Sequence, residues 1–408
     1  MASIQQMQPV RVLYSFPQKI GAGRVCELAW QQVSSIARAG ADVTVFPGVL
    51  HKPFADSIVV QPTLSRGKAR ISYKLVGDLR AFALHDYIVS RRLPKIADRI
   101  DVIHLWPLGA SRTLKVAARL GIPTVLERPN THTRYAYEVV RRECEKIGVD
   151  LPIGYEHAYN ADVLRIEEEE YKNADFLLCP SDFVLKTFLD YGFPLSKLAR
   201  HSYGFDEKRH YPATEEPKMS GGITMLFGGL CAVRKGLHYA LEAWLASPAH
   251  EHGTFLIAGR FLPAYAEKLK PMLDHPSVRV LGERDDLPEL MRQSDIFVLP
   301  SIEEGSALVT SEARASGCVI LVSESTGAVC KHMQDALVHR TGDVKTLTEH
   351  ITMLHENRAL LCELRRASLR TISEITWTAS GRKLLEIYRS AIQSKAVRNS
   401  YNPSLAHA

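Results

Sequence analysis

Two glutamates separated by seven residues, Glu304 and Glu312, lie in the second half of the chain. Glu304 follows an apolar run at 295–300 that is typical of a buried parallel strand, and a helix is predicted to begin near Ser306. The small residues after Glu304 let a ligand approach the backbone, and the free N–H groups of a helix start favour a phosphate. The pattern predicts that one carboxylate binds the hydroxyls of a sugar and that the other binds the hydroxyls of a ribose. The alternatives are a first-turn charge at 304 and a solvated helix residue at 312.

A basic pair precedes another predicted helix in the same half of the chain. A strand ends in Gly228 and Gly229, and a short loop then presents Arg234 and Lys235 before a helix at 236–246. An arginine binds a diphosphate as a fork and a lysine binds it as a point charge. Parallel sheets bind ligands at the carboxyl ends of their strands, so we expect the basic pair and the glutamates to share one cleft. A solvated basic pair is the alternative.

A glycine-containing turn, Gly21-Ala22-Gly23, connects the first predicted strand to the first helix. It fits part of a dinucleotide-binding fingerprint, but Cys26 stands where that pattern needs a third small residue. The next strand also ends without an acidic residue for a ribose, which disfavours a nicotinamide or a flavin. We expect a turn with bare N–H groups that binds an anion or a hydroxylated ligand. A flexible turn without a ligand is the alternative.

Two runs of alternating strands and helices would position these loops. The fold class is therefore α/β, with two doubly wound, Rossmann-like domains in tandem. We expect an N-terminal domain, a linker rich in Pro and Gly, a C-terminal domain, a final helix and a tail. The boundaries predicted for these five parts, in that order, are 1–207, 208–222, 223–375, 376–395 and 396–408.

Composition and charge exclude several classes of protein. Hydrophobic residues make up 46% of the 408 residues and charged residues 24%, as in ordinary globular proteins, and the longest apolar runs have the length of strands. Lys and Arg number 51 against 45 Asp and Glu, and this net charge of +6 is too small for a dedicated nucleic-acid-binding protein. The seven cysteines form no C-x-x-C pair and no apolar signal stretch opens the chain, so reduced thiols and a cytoplasmic location are expected.

The segment at 227–317 resembles the retaining nucleotide-sugar glycosyltransferases of family 4. Their two-glutamate motif is matched by Glu304 and Glu312. The resemblance implies the GT-B fold, in which two Rossmann-like domains face each other across a cleft, with the donor in the C-terminal domain and the acceptor against the N-terminal one. It also implies that the last helix crosses back onto the N-terminal domain. Further matches lie at 234–236, 21–23, 204–206 and 376–388.

The resemblance also implies roles for individual residues. Arg234 and Lys235 would stabilise the leaving diphosphate, Glu304 would orient the donor sugar and Glu312 would bind the ribose. His132, after the strand at 123–127, would hydrogen-bond the donor sugar, with His104 as the competing candidate. Ala307 departs from the glycine of the family pattern, so the identity of the donor sugar is not carried over. The other expected donor-binding residues are Gly21, Gly23, Gly228, Gly229, Arg284, Gly305, Ser306, Ala307 and Leu308.

These motifs predict a retaining glycosyltransferase that moves a hexose-type sugar from a nucleotide diphosphate sugar to an unidentified glycan, lipid or small molecule. The alternatives are a nucleotide-sugar epimerase of GT-B architecture and a non-catalytic sugar-nucleotide-binding protein. No D-x-D triplet occurs in the sequence, so we expect no metal and no other cofactor. Arg234, Lys235 and a helix N-terminus would supply the positive charge instead.

A basic segment at 66–99 carries nine cationic residues against three aspartates. Apolar residues are interleaved with these charges, so the segment could touch an anionic lipid surface at the inner face of a membrane, near the acceptor. A solvated helix face is the simpler interpretation. The interleaved apolar residues are Leu75, Ala81, Phe82, Leu84 and Ile88.

Overall fold

The computed structural model describes residues 8–67, 69–213 and 221–401. Within these ranges the chain forms two parallel sheets joined through the segment that contains the predicted linker, of which residues 214–220 lie outside the described residues. The polar start at 1–7 lies outside them as well. The two parallel sheets confirm the α/β fold class.

The first domain contains a parallel sheet with the strand order β3-β2-β1-β6-β7-β8-β9 and a separate antiparallel pair, β4-β5. The order reverses beside β1, as in doubly wound folds, so β1 and β6 form the switch point at which ligands bind. The strands are β1 (Arg11–Ile20), β2 (Asp42–Leu50), β3 (Val59–Val60), β4 (Ser65–Arg66), β5 (Ala69–Arg70), β6 (Val102–Leu105), β7 (Thr124–Glu127), β8 (Phe176–Cys179) and β9 (Leu198–Arg200). The helices are α1 (Arg24–Arg38), α2 (Tyr73–Val76), α3 (Asp78–Arg92), α4 (Ser111–Arg119), α5 (Thr133–Ile147), α6 (Ala161–Asn173) and α7 (Asp182–Asp190).

The second domain has the strand order β12-β11-β10-β13-β14-β15, again all parallel and again reversing beside its first strand. Most of its strands are buried because both faces carry apolar side chains, which explains their continuous apolar runs. The strands are β10 (Thr224–Gly228), β11 (Thr254–Ala258), β12 (Val278–Gly282), β13 (Ile296–Leu299), β14 (Val319–Ser323) and β15 (Leu337–His339). The helices are α8 (Leu237–Ala246), α9 (Pro263–Leu273), α10 (Leu287–Arg292), α11 (Leu308–Ala315), α12 (Val344–Glu356), α13 (Arg358–Thr371) and α14 (Trp377–Tyr401).

The last helix, α14, packs on the first domain. The Tyr388 hydroxyl lies 2.7 Å from Nδ1 of His104 in the sheet, and the Ser380 hydroxyl donates to the Ser202 carbonyl at 2.6 Å. Gly381 lies so close to α1 that an added Cβ would be 2.6 Å from the backbone of Ser35. The helix continues through Tyr401, so the tail predicted from residue 396 begins as helix, and its residues 402–408 lie outside the described part.

Helix α5 of the first domain also contacts the second domain. Val140 and Cys144 on α5 belong to the same apolar core as β10 and β13. Glu143 on α5 accepts a hydrogen bond from the Tyr239 hydroxyl at 2.5 Å and lies 3.1 Å from Nε2 of His238. The sequence did not predict α5 as a helix, and this helix holds the two domains together beside the cleft.

The basic segment folds mainly as α3 and does not present the predicted apolar face. Ala81 and Phe82 are buried, and Leu84 and Ile88 pack against a small apolar cluster. Leu75, which is 88% exposed, keeps the predicted orientation towards solvent. The lipid-facing prediction is therefore wrong for the other four apolar residues, because they complete the packing of α3 on the domain, and Lys68 lies outside the described residues. Among the described residues, no helix has both the length and the apolar character needed to cross a bilayer.

Candidate functional site

A cavity of about 350 Å³ lies between the two domains, where segments following β6, β7 and β10 meet. Its lining contains Arg24 and Arg128 from the first domain and Arg234 from the second. We call it the arginine cavity. Because its walls come from the carboxyl ends of strands in both sheets, it occupies the place where doubly wound domains bind ligands.

A tight turn fixes Arg234 at this place. Arg234 lies in the single 3₁₀ turn Val233–Lys235, which Gly236 ends with a φ of 67°. A Cβ at Gly236 would stand 2.0 Å from the carbonyl oxygen of Pro300, so only glycine lets this turn pack against the end of β13. The Arg234 carbonyl also accepts a hydrogen bond from the Ile302 N–H at 2.8 Å. The basic turn and the glutamate loop are thereby held together, as the sequence predicted.

The four charged side chains of these two loops form one cluster. Nη1 of Arg234 lies 3.0 Å from Oε1 of Glu304 and 3.3 Å from Oε2 of Glu303. Lys235 forms an ion pair with the same Glu304 oxygen. Arg234, Glu303 and Glu304 are all buried, so each charge depends on its partners rather than on water.

The pKa values in this cluster follow from burial and from the opposite charges. Burial opposes the charge of Arg234, but Glu304 and Glu303 outweigh it and raise the pKa of Arg234. Burial also opposes the charge of Glu304, and Arg234 and Lys235 lower the pKa of its carboxyl nevertheless. For Lys235, burial prevails over the attraction of Glu304 and lowers the pKa of the amine. Arg234 is therefore the fixed cation of the cluster.

Glu303 connects this cluster to the first domain. Its Oε1 accepts hydrogen bonds from the Thr131 hydroxyl at 2.6 Å and the Thr131 N–H at 3.2 Å, while Oε2 faces Arg234. Beside it, the Ser181 hydroxyl donates to the Gly305 carbonyl at 2.5 Å. A Cβ at Gly305 would stand 1.7 Å from the carbonyl oxygen of Pro129, so glycine is needed where the two domains touch.

Two buried donors of the arginine cavity have no partner. The Nε atoms of Arg128 and Arg234 make no hydrogen bond within the described residues. Nη1 of Arg128 donates to Glu167 at 3.2 Å, and its guanidinium carbon lies 4.3 Å from the ring centroid of Tyr171. A buried donor without a partner costs about 1–3 kcal/mol. An anion in this cavity would lie beside both guanidinium groups.

Glu312 lies in a separate cavity of about 490 Å³, which we call the Glu312 cavity. Gly23, Arg24 and Leu308 also line it, so the structure brings the glycine turn and the second glutamate together. Burial raises the pKa of Glu312 to about 7, and Nε2 of His210 lies 3.8 Å from its carboxyl. Arg24 lines both this cavity and the arginine cavity, with a left-handed φ of 50° at the start of α1.

The phosphate-binding helix start differs from the prediction. Helix α11 begins at Leu308 rather than near Ser306, so Glu312 lies closer to the helix start than expected. The Ala307 N–H donates to the Thr326 carbonyl at 3.2 Å and is not free for a ligand. Ser306 belongs to the irregular segment before the helix. The loop bends back onto the segment after β14, which delays the start of the helix.

Of the predicted site residues, Arg234 is the one in the lining of the arginine cavity, and His132 and Arg284 have other partners. His132 stacks on Tyr191 with ring centroids 4.2 Å apart, burial lowers its pKa to about 3, and it does not line the cavity. The expected hydrogen bond from His132 to the donor is therefore corrected, since its ring completes an aromatic cluster. Arg284 is exposed, and its guanidinium pairs at 2.5 Å with Asp286, two residues further along the chain.

The remaining predicted glycines, Gly21, Gly228 and Gly229, shape the backbone at the ends of strands. Gly21 has a φ of 85° at the end of β1, and an added Cβ would stand 2.4 Å from Cβ of Lys52. Gly228 ends β10 against the side chain of Leu287, and the Gly229 N–H donates to the Ala258 carbonyl at 2.9 Å. None of these three lines the arginine cavity.

Sequence reasoning missed several residues of the cleft. Arg24 and Arg128 were not singled out, although both are cations placed directly after a βα turn or a strand. Glu303 was passed over because the motif of two glutamates separated by seven residues selects its neighbour Glu304. A second acidic residue beside a predicted site was the available signal for Glu303.

Comparison with known proteins gives the family. A model described as "Glycosyltransferase Family 4" matches residues 28–209, and one described as "Glycosyl transferases group 1" matches residues 222–357. The chain belongs to glycosyltransferase family 4. The first match includes β2 to β9 and the second includes β10 to β15, so each domain is matched by a glycosyltransferase model.

Among curated proteins, two glycosyltransferases with diphospho-undecaprenol in their names are similar to part of the chain. The N,N'-diacetylbacillosaminyl-diphospho-undecaprenol alpha-1,3-N-acetylgalactosaminyltransferase of Campylobacter jejuni is 32% identical over 124 residues, 30% of this chain and 33% of that protein. The UDP-Gal:alpha-D-GlcNAc-diphosphoundecaprenol alpha-1,3-galactosyltransferase of Escherichia coli is 31% identical over 83 residues, 20% of this chain and 21% of that protein. The chain thus spans about a third or less of the length of these relatives.

Solved structures show the fold over nearly the whole chain. Sucrose-phosphate synthase from Thermosynechococcus elongatus aligns with a TM-score of 0.70 and 16% identity, covering 95% of this chain and 100% of that one. HepE from Anabaena, solved with UDP and glucose, aligns with a TM-score of 0.62 and 15% identity, covering 93% and 100%. The predicted GT-B fold of family 4 is confirmed.

Proposed function

We propose that the chain is a retaining glycosyltransferase that moves a hexose-type sugar from a nucleotide diphosphate sugar to a separate acceptor. The observation that carries this proposal is that three arginines, Arg24, Arg128 and Arg234, line one interdomain cavity. Guanidinium groups bind phosphate through their N–H donors. Membership of family 4 supports a nucleotide sugar as the donor.

The ion cluster suggests how the diphosphate binds. Arg234 and Lys235 share the carboxylate of Glu304. A diphosphate carries more charge than one carboxylate, so it would compete with Glu304 for both cations. The released Glu304 can then accept hydrogen bonds from the sugar hydroxyls. The cations stabilise the negative charge that develops as the bond between the anomeric carbon and the diphosphate breaks.

A neighbouring cavity could hold the acceptor. Tyr155 and Glu156 line a larger cavity in the first domain, and a hydrogen bond links Tyr155 to Arg234. Retention, which the resemblance to the retaining family implies, requires that the acceptor reach the anomeric carbon on the face from which the diphosphate leaves. The acceptor oxygen then bonds to that carbon while a diphosphate oxygen takes the acceptor proton. Room for a second ligand favours a transferase over an epimerase.

A transfer assay tests this function. The protein is incubated with nucleotide diphosphate hexoses and methyl glycosides, and the anomeric configuration of the product is read by NMR. We expect retention, with activity that survives EDTA because Arg234 and Lys235 supply the charge. Inversion would contradict the retaining mechanism, loss with EDTA and rescue by Mn²⁺ would contradict metal independence, and an isomerised donor without acceptor would indicate an epimerase.

We propose that the acceptor lies at an anionic membrane surface, because the two curated relatives are named for acceptors on diphospho-undecaprenol. Leu75 and Ile153 are 88% and 105% exposed, and their neighbours Tyr73 and Gly154 line the larger cavity. Lys74, beside Leu75, is exposed as well. This arrangement supports a peripheral contact at the mouth of the cavity, on the cytoplasmic side if the location predicted from the sequence holds.

Vesicle co-sedimentation tests the membrane contact. We expect binding to vesicles that contain phosphatidylglycerol, release by salt, and weaker binding for Leu75→Asp and Ile153→Asp. Leu195→Asp is the matched control, since Leu195 is 63% exposed and does not line the larger cavity. No binding, or binding insensitive to salt, would contradict the proposal.

A further inference from the structure

The larger cavity of the first domain has a volume of about 690 Å³ and adjoins the arginine cavity. We call it the tyrosine chamber, because Tyr73, Tyr137, Tyr155 and Tyr159 line it. Tyr137 and Glu156 line both cavities, so a ligand in the chamber extends to the place where Arg234 lies. The volume is large enough for a small organic ligand.

The lining of the chamber combines aromatic rings with accessible polar groups. Tyr137 and Tyr159 pack edge to face with ring centroids 5.5 Å apart, and Phe82 adds a further ring. Such rings present flat apolar faces, on which the C–H face of a pyranose can pack. Asp78 makes no hydrogen bond or ion pair through its carboxylate within the described residues, and the Glu156 side chain is 70% exposed. Both carboxylates can accept hydrogen bonds from hydroxyl groups.

The charges of the two cavities differ in sign. The tyrosine chamber has Asp78 and Glu156 against one cation, Lys19, whereas the arginine cavity has three arginines against two glutamates. A hydrogen bond from His157 lowers the pKa of Glu156 to about 2, so this carboxylate is ionised at neutral pH. A phosphate or carboxylate would be repelled from the chamber and attracted to the arginine cavity.

We propose that the tyrosine chamber binds the acceptor, and that the part of the acceptor inside it is an uncharged sugar rather than a phosphorylated one. The inference rests on the proposed function, because it takes the arginine cavity as the site of the donor diphosphate. The sugar packs on the tyrosine faces and donates hydroxyl hydrogen bonds to Asp78 and Glu156. A phosphate elsewhere on the acceptor stays outside the chamber.

Saturation-transfer NMR on the full chain tests this inference. The probes are methyl α-glucoside, methyl α-galactoside and methyl α-N-acetylglucosaminide, each compared with glucose 6-phosphate. We expect transfer to at least one neutral glycoside, and we expect Tyr159→Ala to weaken its binding about threefold to tenfold, as loss of an aromatic contact does. The part of the saturation-transfer signal that is lost in Tyr159→Ala measures binding in the tyrosine chamber. Tyr87→Ala is the matched control, because Tyr87 is exposed and does not line the chamber.

A charge reversal provides the second arm of the test. Asp78→Lys should weaken binding of the neutral glycoside and strengthen binding of glucose 6-phosphate, whereas the control Asp98→Lys should change neither. The inference is overturned if no neutral glycoside binds, if glucose 6-phosphate binds the chamber as well as they do, or if the controls match the variants. Nucleotide-sugar calorimetry is run alongside. Normal donor binding beside a failed glycoside test contradicts the chamber alone, and absent donor binding contradicts the proposed function.

Discussion

Glu127 and Glu304 are both buried carboxylates at the carboxyl ends of parallel strands, one in each domain, yet their surroundings differ. Glu127 is held by a glutamine, a tyrosine and two histidines, and Glu304 by an arginine and a lysine. Burial opposes the charge of Glu127, but His201 lowers its pKa to about 2. The partners of Glu127 are Gln32 at 2.7 Å, His201 at 3.0 Å, Tyr203 at 3.0 Å and His104 at 3.5 Å.

The contrast shows that a buried charge does not by itself mark a functional site. All the partners of Glu127 are themselves buried, so its network is closed and acts on the stability of the first domain. The cluster around Glu304 includes Arg234, which lines a cavity and keeps an unpartnered donor. The Glu127 network also contains ring nitrogens without a hydrogen-bond partner among the described residues, Nε2 of His104 and Nδ1 of His201. The open cavity beside Arg234 is therefore what distinguishes the binding site from the structural network.

The largest expected effect is on stability, at Glu127. Glu127→Ala leaves several buried polar groups without a partner, so we expect the free energy of unfolding to fall by about 3–5 kcal/mol. Denaturant titration measures this loss. Glu127→Gln should lose less, because it keeps an acceptor oxygen. An unchanged free energy of unfolding in Glu127→Ala would contradict the claim that the Glu127 network stabilises the first domain.

The next effect is on turnover, at Glu304 and Lys235. Glu304→Ala and Lys235→Ala should each lower turnover on the order of 10²-fold, as loss of one charge-stabilising group does. The measurement is the steady-state rate of transfer, with circular dichroism as the check on folding. Near-normal turnover in either folded variant would contradict the role given to that residue.

A smaller effect is expected at the contact between the domains. Glu303→Gln weakens the pairing with Arg234 and Thr131→Val removes a hydroxyl donor, so each should lower kcat/KM by about tenfold. Because both act through Glu303, the double variant should lose less than the product of the two single losses. Glu324→Gln is the control, since Glu324 is exposed. Fully additive losses would show that the contact does not couple the two residues.

The smallest effect is a pH dependence at Glu312, whose pKa burial raises to about 7. As pH rises through this value the carboxylate forms, so its acceptance of ribose hydroxyl bonds should increase donor affinity by about threefold to tenfold. Glu312→Gln should flatten this rise. The neighbouring His210 stays neutral across the range, since burial lowers its pKa to about 4. The other ionisable side chains that act on Glu312 are Arg209 and Asp206. Equal pH profiles in wild type and variant would exclude the role.

Stability has the opposite dependence on pH at the same residue. The pKa of Glu312 is higher in the folded chain than in the unfolded one, so its contribution to stability is full below the ordinary glutamate pKa. That contribution is lost as pH rises towards about 7. Glu312→Gln should therefore be less sensitive than wild type to raising the pH between these values, as denaturant titrations at several pH values would show.

More of the fold than of the candidate site could be predicted from the sequence. Apolar runs and the glycine turns between them indicate where the strands lie. Helix α6 likewise has the bounds that the sequence indicates. Motif spacing correctly paired Arg234 with Glu304, because both follow strands of one sheet. Contacts between domains leave no local pattern, so the partnership of Glu303 with Thr131 was not predictable. The role predicted for His132 was wrong because the aromatic rings that pack against it belong to Phe188 and Tyr191, more than fifty residues further along the chain.

Calorimetric titration with nucleotide diphosphate sugars most directly tests the claim that the arginine cavity binds a diphosphate. A panel of UDP, GDP, ADP and dTDP sugars is titrated into wild type, Arg234→Ala and Arg284→Ala. We expect binding of at least one sugar nucleotide, about tenfold or more weaker in Arg234→Ala and unchanged in Arg284→Ala, whose guanidinium pairs with Asp286. No heat with any sugar nucleotide, or equal affinity in wild type and Arg234→Ala, would contradict the account.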